Sequence, residues 1–253
     1  MKKKLGQNFL RNPDISQKIV NLSGFDTSLN ILEIGPGDGA LTDNLFDNYE
    51  NITLLEYDSD LIIPLKNKYK KFKFNIINDD ARTYQISDKS KVNIIGNLPY
   101  YASNMIIRNF MIQEQVNSMV FTVQKEVGEQ IVAGPGKKSF LSLLIQSSCY
   151  VEKLLLIKNY EFFPIPKVDS MTIKITPKGK NSDPEYIEFI RKSFSNPRKK
   201  ILNSICMGFD LSSDKVKLLL ESSNIEENLR PQHLELDEWD KLFNNFKNYD
   251  FAK

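Results

Sequence analysis

The feature that most constrains this chain is a largely apolar run, Asn30-Ile31-Leu32-Glu33-Ile34, that breaks off into Gly35-Pro36-Gly37-Asp38-Gly39. A short run of this kind, bounded by turn residues, suits a strand buried on both faces. The glycines let the backbone turn sharply into a helix predicted over Ala40–Asn48, and they leave the main chain open to a ligand.

A strand buried on both faces needs neighbours, and the rest of the chain supplies them. Strands are predicted at Ile52–Glu56, Phe74–Asn78, Val92–Gly96 and Ser118–Val123. Helices are predicted at Pro13–Leu22, Leu61–Tyr69, Ser103–Ile112 and Lys125–Val132. The first has Asn12 as its cap, Pro13 at its first position and Gly24 closing it. Strands alternating with helices imply a mostly parallel sheet with helices on both faces. A helix at Phe140–Ser147 and late strands at Tyr150–Lys158 and Ser170–Thr176 follow, the two strands separated by Phe162-Phe163-Pro164-Ile165-Pro166. Beyond the polar break Pro177–Pro184 only helical patterns remain: Tyr186–Phe194, Arg198–Met207, Ser213–Ser222 and Leu236–Phe246. The expected organisation is an α/β domain over 1–180 and a small all-helical domain over 181–253.

Composition narrows the chemistry. The two cysteines are far apart and the single histidine is His233, so zinc sites and imidazole-dependent nucleophiles lack their parts, and no metal site is expected. No apolar run reaches membrane-spanning length, and no signal or transit segment follows Met1-Lys2-Lys3-Lys4, so a cytoplasmic protein is expected. A net charge of +2 does not by itself announce a nucleic-acid binder. Local clusters such as Arg198-Lys199-Lys200 matter more, although a solvated helix face explains such a cluster equally well.

Three successive predicted strand ends carry a nucleoside-shaped set of groups. The glycine turn fits a dinucleotide site and a methyl-donor site alike; Glu33, at the strand end beside the ligand's polar end, and the extra Gly39 tilt it towards the second. Glu56 ends the next strand, twenty-one positions beyond Gly35, where a carboxylate accepts from both ribose hydroxyls. Asp80, before the small Ala81, is placed to accept from an adenine amine, while Asp79 suits a helix cap. The fourth strand end, Asn97-Leu98-Pro99-Tyr100, adds acceptors for an exocyclic amine in the Asn97 side-chain oxygen and the Leu98 carbonyl. Pro99 fixes the turn, and Tyr100 offers a face to a flipped-out base.

Taken together and in order, Leu5-Gly6-Gln7-Asn8-Phe9-Leu10, Glu33–Thr42, Glu56, Asp80, Asn97–Tyr100 and Phe162-x-Pro164-x-Pro166-Lys167-Val168-Asp169-Ser170 resemble the ribosomal RNA adenine N6,N6-dimethyltransferases of the KsgA type. The resemblance spans nearly the whole chain. It implies a Rossmann-like class I methyltransferase domain with a small helical C-terminal domain, and S-adenosylmethionine as cofactor. It implies cofactor contacts from Asn8, Leu10, Gly35, Glu56, Asp80 and Asn97. Asn97, Leu98, Pro99 and Tyr100 would form the reacting site, with Phe162 the second aromatic wall of the base pocket and Phe163 the better candidate for the core. The implied reaction is direct methyl transfer to nitrogen, done twice, without a general base. The implied partner is small-subunit ribosomal RNA, in a partly assembled small subunit, acted on by a monomer.

Three other readings share parts of this pattern. Large-subunit adenine dimethyltransferases of the macrolide-resistance type have similar motifs, but Phe194, Arg198-Lys199-Lys200, Ser204 and Leu229-Arg230-Pro231-Gln232-x-Leu234 look like the small-subunit enzymes. Relatives that act as mitochondrial transcription factors need not keep the intact Glu56, Asp80 and Asn97 positions. A nicotinamide-dependent oxidoreductase would account for the glycines and leave Asn97–Tyr100 unexplained.

Overall fold

A computed structural model describes residues 8–179 and 183–248. The basic run Lys2–Lys4 and the motif residues Leu5, Gly6 and Gln7 lie outside the described residues. In chain order the elements are β1 (Phe9–Leu10), α1 (Pro13–Ser23), β2 (Asn30–Ile34), α2 (Thr42–Phe46), β3 (Ile52–Glu56), α3 (Ser59–Lys68), β4 (Asn75–Asn78), β5 (Val92–Asn97), α4 (Ser103–Phe110), β6 (Val116–Gln124), α5 (Lys125–Ile131), α6 (Phe140–Ser148), β7 (Cys149–Ile157), β8 (Phe162–Phe163) and β9 (Ser170–Pro177). Four helices follow: α7 (Pro184–Ser193), α8 (Ile201–Phe209), α9 (Ser213–Ser222) and α10 (Leu236–Asn248).

These elements form two compact units, one of 8–129 with 149–179 and one of 130–148 with 183–248. The first holds a seven-stranded sheet in the order β4-β3-β2-β5-β6-β9-β7. β4, β3, β2, β5 and β6 run parallel, whereas β9 is antiparallel to both β6 and β7. Parallel neighbours hold their partners in line, so Glu33 stands opposite Leu54 on one side and Ile95 on the other. Strand side chains alternate between faces. Glu33 therefore shares a face with Ile31, Glu56 with Leu54, and Asn97 with Ile95. Ile31, Leu54 and Ile95 belong to one core cluster with Ile19 and Val20 of α1 and Leu45 of α2. The face that the hydrophobic effect buries thus delivers two carboxylates and an amide to the sheet's carboxyl edge. Each fully buried Ile or Leu contributes roughly 1.5–3 kcal/mol to holding it there.

Local sequence explains most element ends. Asn12 caps α1 by accepting from the Asp14 N–H at 3.0 Å, Pro13 opens the helix, and Gly24 closes it at φ +55°. α2 is shorter than predicted because Gly37 and Gly39 take φ of +60° and +93°, outside the right-handed helix, so the turn runs on to Leu41.

The second unit is all helical. Phe189, Phe194, Trp239, Leu242 and Phe243 pack with Ile201, Ile205, Leu219 and Leu220 in one core, and Leu143 of α6 belongs to it. The predicted division at 180/181 therefore differs from the observed one over 130–148: Leu143 of α6, with Phe140 beside it, packs into the core of the later helices. A buried lysine fastens that stretch, since Lys138 Nζ donates to Gln146 Oε1 at 3.0 Å and lies 3.5 Å from the Glu235 carboxylate.

Candidate functional site

One cavity opens at the carboxyl edge of the parallel strands, and it is lined from the ends of β2, β3, β4 and β5 together with β1. Gly35, Glu56, Asp80, Asn97, Leu98, Pro99, Tyr100, Asn8 and Leu10, all expected site residues, line it together. Phe162 does not. Its ring is 2% exposed in the core cluster with Leu10 and Ile19, whereas Phe163 is 51% exposed with the Arg11 guanidinium over its ring. The burial expected of these neighbours is reversed for a simple reason, although neither ring lines the cavity. Antiparallel pairing of β1 with β8 sets Leu10 against Phe162 and Phe9 against Phe163, and strand alternation sends one ring inward and the other out.

The glycine turn is held from three directions. Glu56 Oε2 accepts the Gly37 N–H at 3.1 Å while Oε1 accepts the Asp58 N–H at 2.8 Å. From α3, Lys68 Nζ donates to the Asp38 carbonyl at 3.0 Å and to Asp43 at 2.9 Å. From β1, the Phe9 ring lies where a Cβ on Gly37 would stand, 2.7 Å from it, and Arg11 pairs with Asp38 at 2.7 Å.

Asn97 is fixed by the residue just before that strand. Its Nδ2 donates to the Asn8 carbonyl at 2.8 Å, which leaves Oδ1 as the acceptor at the cavity. The Leu98 N–H is spent on the Thr122 carbonyl at 3.0 Å, continuing the β5–β6 ladder. The Pro99 carbonyl accepts the Ala102 N–H at 3.0 Å and closes the turn that carries Tyr100.

Asp80, rather than Asp79, caps its turn by accepting the Arg82 N–H at 2.9 Å, and no helix follows. The Arg82 side chain binds both Asp80 oxygens, at 2.5 to 2.9 Å, and holds this carboxyl below the usual carboxylate range. Arg82 also lies over the exposed Tyr57 ring, which with Tyr101 completes this end of the lining. Sequence reasoning did not single out Tyr57, Arg82 or Tyr101. Their adjacency to Glu56, Asp80 and Tyr100 was the available signal.

The charge of the lining selects among ligands. Glu33, Asp38, Glu56, Asp58, Asp79 and Asp80 contribute carboxyls, and Arg82 is the one cation among the described lining residues. Burial pushes Glu33 up to about 8, against the pull of a 2.7 Å hydrogen bond from the Thr42 hydroxyl, and burial also raises Glu56. A lining in which carboxyls outnumber cations suits a cationic ligand and opposes an anionic pyrophosphate, even with Glu33 largely protonated at neutral pH. That disfavours the nicotinamide reading on physical grounds and fits a sulfonium cofactor that also carries an ammonium group.

Comparison with known proteins agrees. Residues 1–248 match the family described as Ribosomal RNA adenine dimethylase. The chain belongs to this family. Among dimethylase relatives, the Ribosomal RNA small subunit methyltransferase A of Fusobacterium nucleatum is 37% identical, with 97% of each chain covered. The protein of that name from Aster yellows witches'-broom phytoplasma is 36% identical over 95% of this chain and 94% of its own. Among solved structures, a dimethyladenosine transferase from Plasmodium falciparum matches with a TM-score of 0.80 at 26% identity, covering 95% of this chain and 98% of that one. The 23S rRNA methyltransferase ErmE matches with a TM-score of 0.78 at 20% identity over 94% and 99% of the two chains, a likeness of fold. The dimethylase domain is thus a Rossmann-like class I methyltransferase fold accompanied by a helical unit, as the sequence implies. No helix among the described residues is long and apolar enough to cross a membrane.

Proposed function

We propose that this protein dimethylates the N6 amine of adenines in small-subunit ribosomal RNA, with S-adenosylmethionine as methyl donor. One observation carries the reading: in a chain of the dimethylase family, Asn97 offers its side-chain oxygen at an acid-lined cavity, with its amide nitrogen already engaged by Asn8. Identities of 31–37% to enzymes named for the small subunit support that substrate over the large one.

Bound S-adenosylmethionine supplies a methyl on a positively charged sulfur, a strong electrophile with a good leaving group. The chain's residues do the positioning. Glu56 takes the ribose hydroxyls with the lone pairs it does not spend on Gly37 and Asp58, and Gly35 lines the amino-acid end. Asp80, whose oxygens Arg82 engages, would receive the cofactor's adenine amine, and Asn8 and Leu10 would close over the cofactor. On the target side, Asn97 Oδ1 and the Leu98 carbonyl accept the two amine hydrogens, which favours a pyramidal nitrogen with an available lone pair. Pro99 holds that turn rigid, Tyr100 stacks on the base, and Phe162 supports the pocket from the core behind Leu10. The proton lost from the alkylated amine is acidic and passes to water, so no side chain acts as base. Orientation and exclusion of water provide the catalysis.

The enzyme acts in this reading as a cytoplasmic monomer on a partly assembled small subunit, with Arg198-Lys199-Lys200 contacting RNA phosphates. The decisive experiment is transfer of labelled methyl to undermodified small subunits, with large-subunit RNA alongside, followed by nucleoside analysis. Dimethyladenosine in the small-subunit RNA is the expected product. Product confined to large-subunit RNA would move the enzyme to the resistance type, and cofactor binding without product would make it a binding protein.

A further inference from the structure

The Tyr100 ring lines the cavity, yet its hydroxyl lies 2.7 Å from Oγ of Ser170, a residue with no exposed surface. Burial raises the phenol's pKa and the Ser170 bond offsets part of that rise, so the group remains an O–H at neutral pH. Ser170 is itself held on both sides. It opens β9 between two strands, opposite Gln124 of β6 and Ile157 of β7. The residue before it is pinned as well: the Asp169 carbonyl accepts the Lys125 N–H at 2.9 Å, and its carboxylate accepts the Asn159 N–H and Lys158 Nζ, each at 3.1 Å. The ring therefore sits on a tight turn at one end and is tied at its far edge to the start of β9, between β6 and β7.

The geometry points to Ser170 as a positioning residue for the target base: by anchoring the Tyr100 hydroxyl to β9 it sets the plane of the stacking ring before RNA arrives. This rests on the reading of Tyr100 as the surface on which the target adenine stacks. The physical reason is the cost of an unpaired buried hydroxyl. Without the serine, the phenol regains a partner by turning towards the polar cavity, into the volume the base would occupy.

The test is Ser170→Ala, compared with wild type in RNA KM, kcat and cofactor Kd, together with Tyr100→Phe and the double variant. RNA KM is expected to rise about tenfold, about 1.4 kcal/mol, with cofactor Kd unchanged. Ser170→Cys, similar in size with a weaker hydrogen bond, should fall between and serves where the alanine variant does not fold. The double variant leaves no hydroxyl unpaired, so it should be no worse than Ser170→Ala alone. An unchanged RNA KM, an equal loss of cofactor affinity, or fully additive losses in the double variant would overturn the assignment. Carbon-13 tyrosine NMR of the free protein, with the Tyr100 signal identified by its loss in Tyr100→Phe, needs no RNA. A Tyr100 signal unmoved by Ser170→Ala would reject the positioning role even in a protein that proves to methylate nothing. A moved signal with no methyl transfer would instead reject the proposed reaction.

Discussion

The phenol oxygen of Tyr69 stands 3.0 Å from the Gly39 carbonyl, thirty residues away, while it bonds the Asp43 carboxylate at 2.7 Å. A Cβ on Gly39 would run into that hydroxyl, and the backbone there is at φ +93°. Gly39→Ala thus meets a steric and a conformational objection together. The expected loss is about 1–3 kcal/mol of stability from backbone strain, with weakened cofactor binding, read by thermal unfolding and titration calorimetry. Tyr69→Phe in the Gly39→Ala background removes the closest contact but leaves the ring carbon and Lys68 Nζ each 2.9 Å away and gives up the Asp43 bond, so it should restore only a small part of the stability.

Asn97 bonds the Asn8 carbonyl through its nitrogen, and in the proposed reaction its oxygen accepts from the target amine. Asn97→Ala should abolish methyl transfer while cofactor Kd changes by about a few-fold, the scale of one lost neutral hydrogen bond. Cofactor affinity falling in step with turnover would instead make Asn97 chiefly a cofactor ligand.

Glu33 ties stability to pH. Its pKa is raised from 4.5 when unfolded to about 8 when folded, so between those values the folded state holds a proton that the unfolded state has released. The free protein should therefore lose stability as pH rises through that window and level off above it. Glu33→Gln, which is neutral throughout, should flatten the dependence. Binding of a cation should strengthen over the same rise in pH as the carboxylate forms. Unfolding midpoints and cofactor affinity measured across this range check both slopes, and an unchanged slope in the glutamine variant would remove Glu33 as their source.

Arg198, Lys199 and Lys200 are all exposed, and Lys200 Nζ binds Asn228 at 2.5 Å. Replacing the three by alanine should weaken RNA binding and flatten its salt dependence by about 0.7–0.9 log units of slope for each phosphate no longer neutralised. Fold and cofactor affinity should not change. A salt slope equal to that of wild type would return the cluster to ordinary surface.

The parallel strands were legible because Ile31, Leu54 and Ile95 lie in apolar runs whose burial leaves no choice of face. Glu33, Glu56 and Asn97 were legible as strand ends beside a glycine turn. Interactions between distant segments left no local trace. Nothing in the sequence sets Tyr69 against Gly39, or Ser170 against Tyr100, and the two-residue strands β1 and β8 exist only because each pairs with the other. The same lack hides which of two adjacent phenylalanines is buried: composition cannot tell Phe162 from Phe163, and the pairing of Leu10 does. The domain boundary at 180/181 failed over 130–148 because α6 looks alike whichever core receives it.

The pairing of Phe9 and Leu10 with residues 162 and 163 also orders events during synthesis. Chains emerge from the ribosome N-terminus first, and early segments organise as they appear. β2 through β6 are complete once residue 124 has emerged, but β1 has no strand to pair with until some forty residues later. This early segment is thus among the last of the cavity lining to settle, and a nascent chain stalled short of residue 163 would carry the strand ends of this cavity without β1 paired beside them.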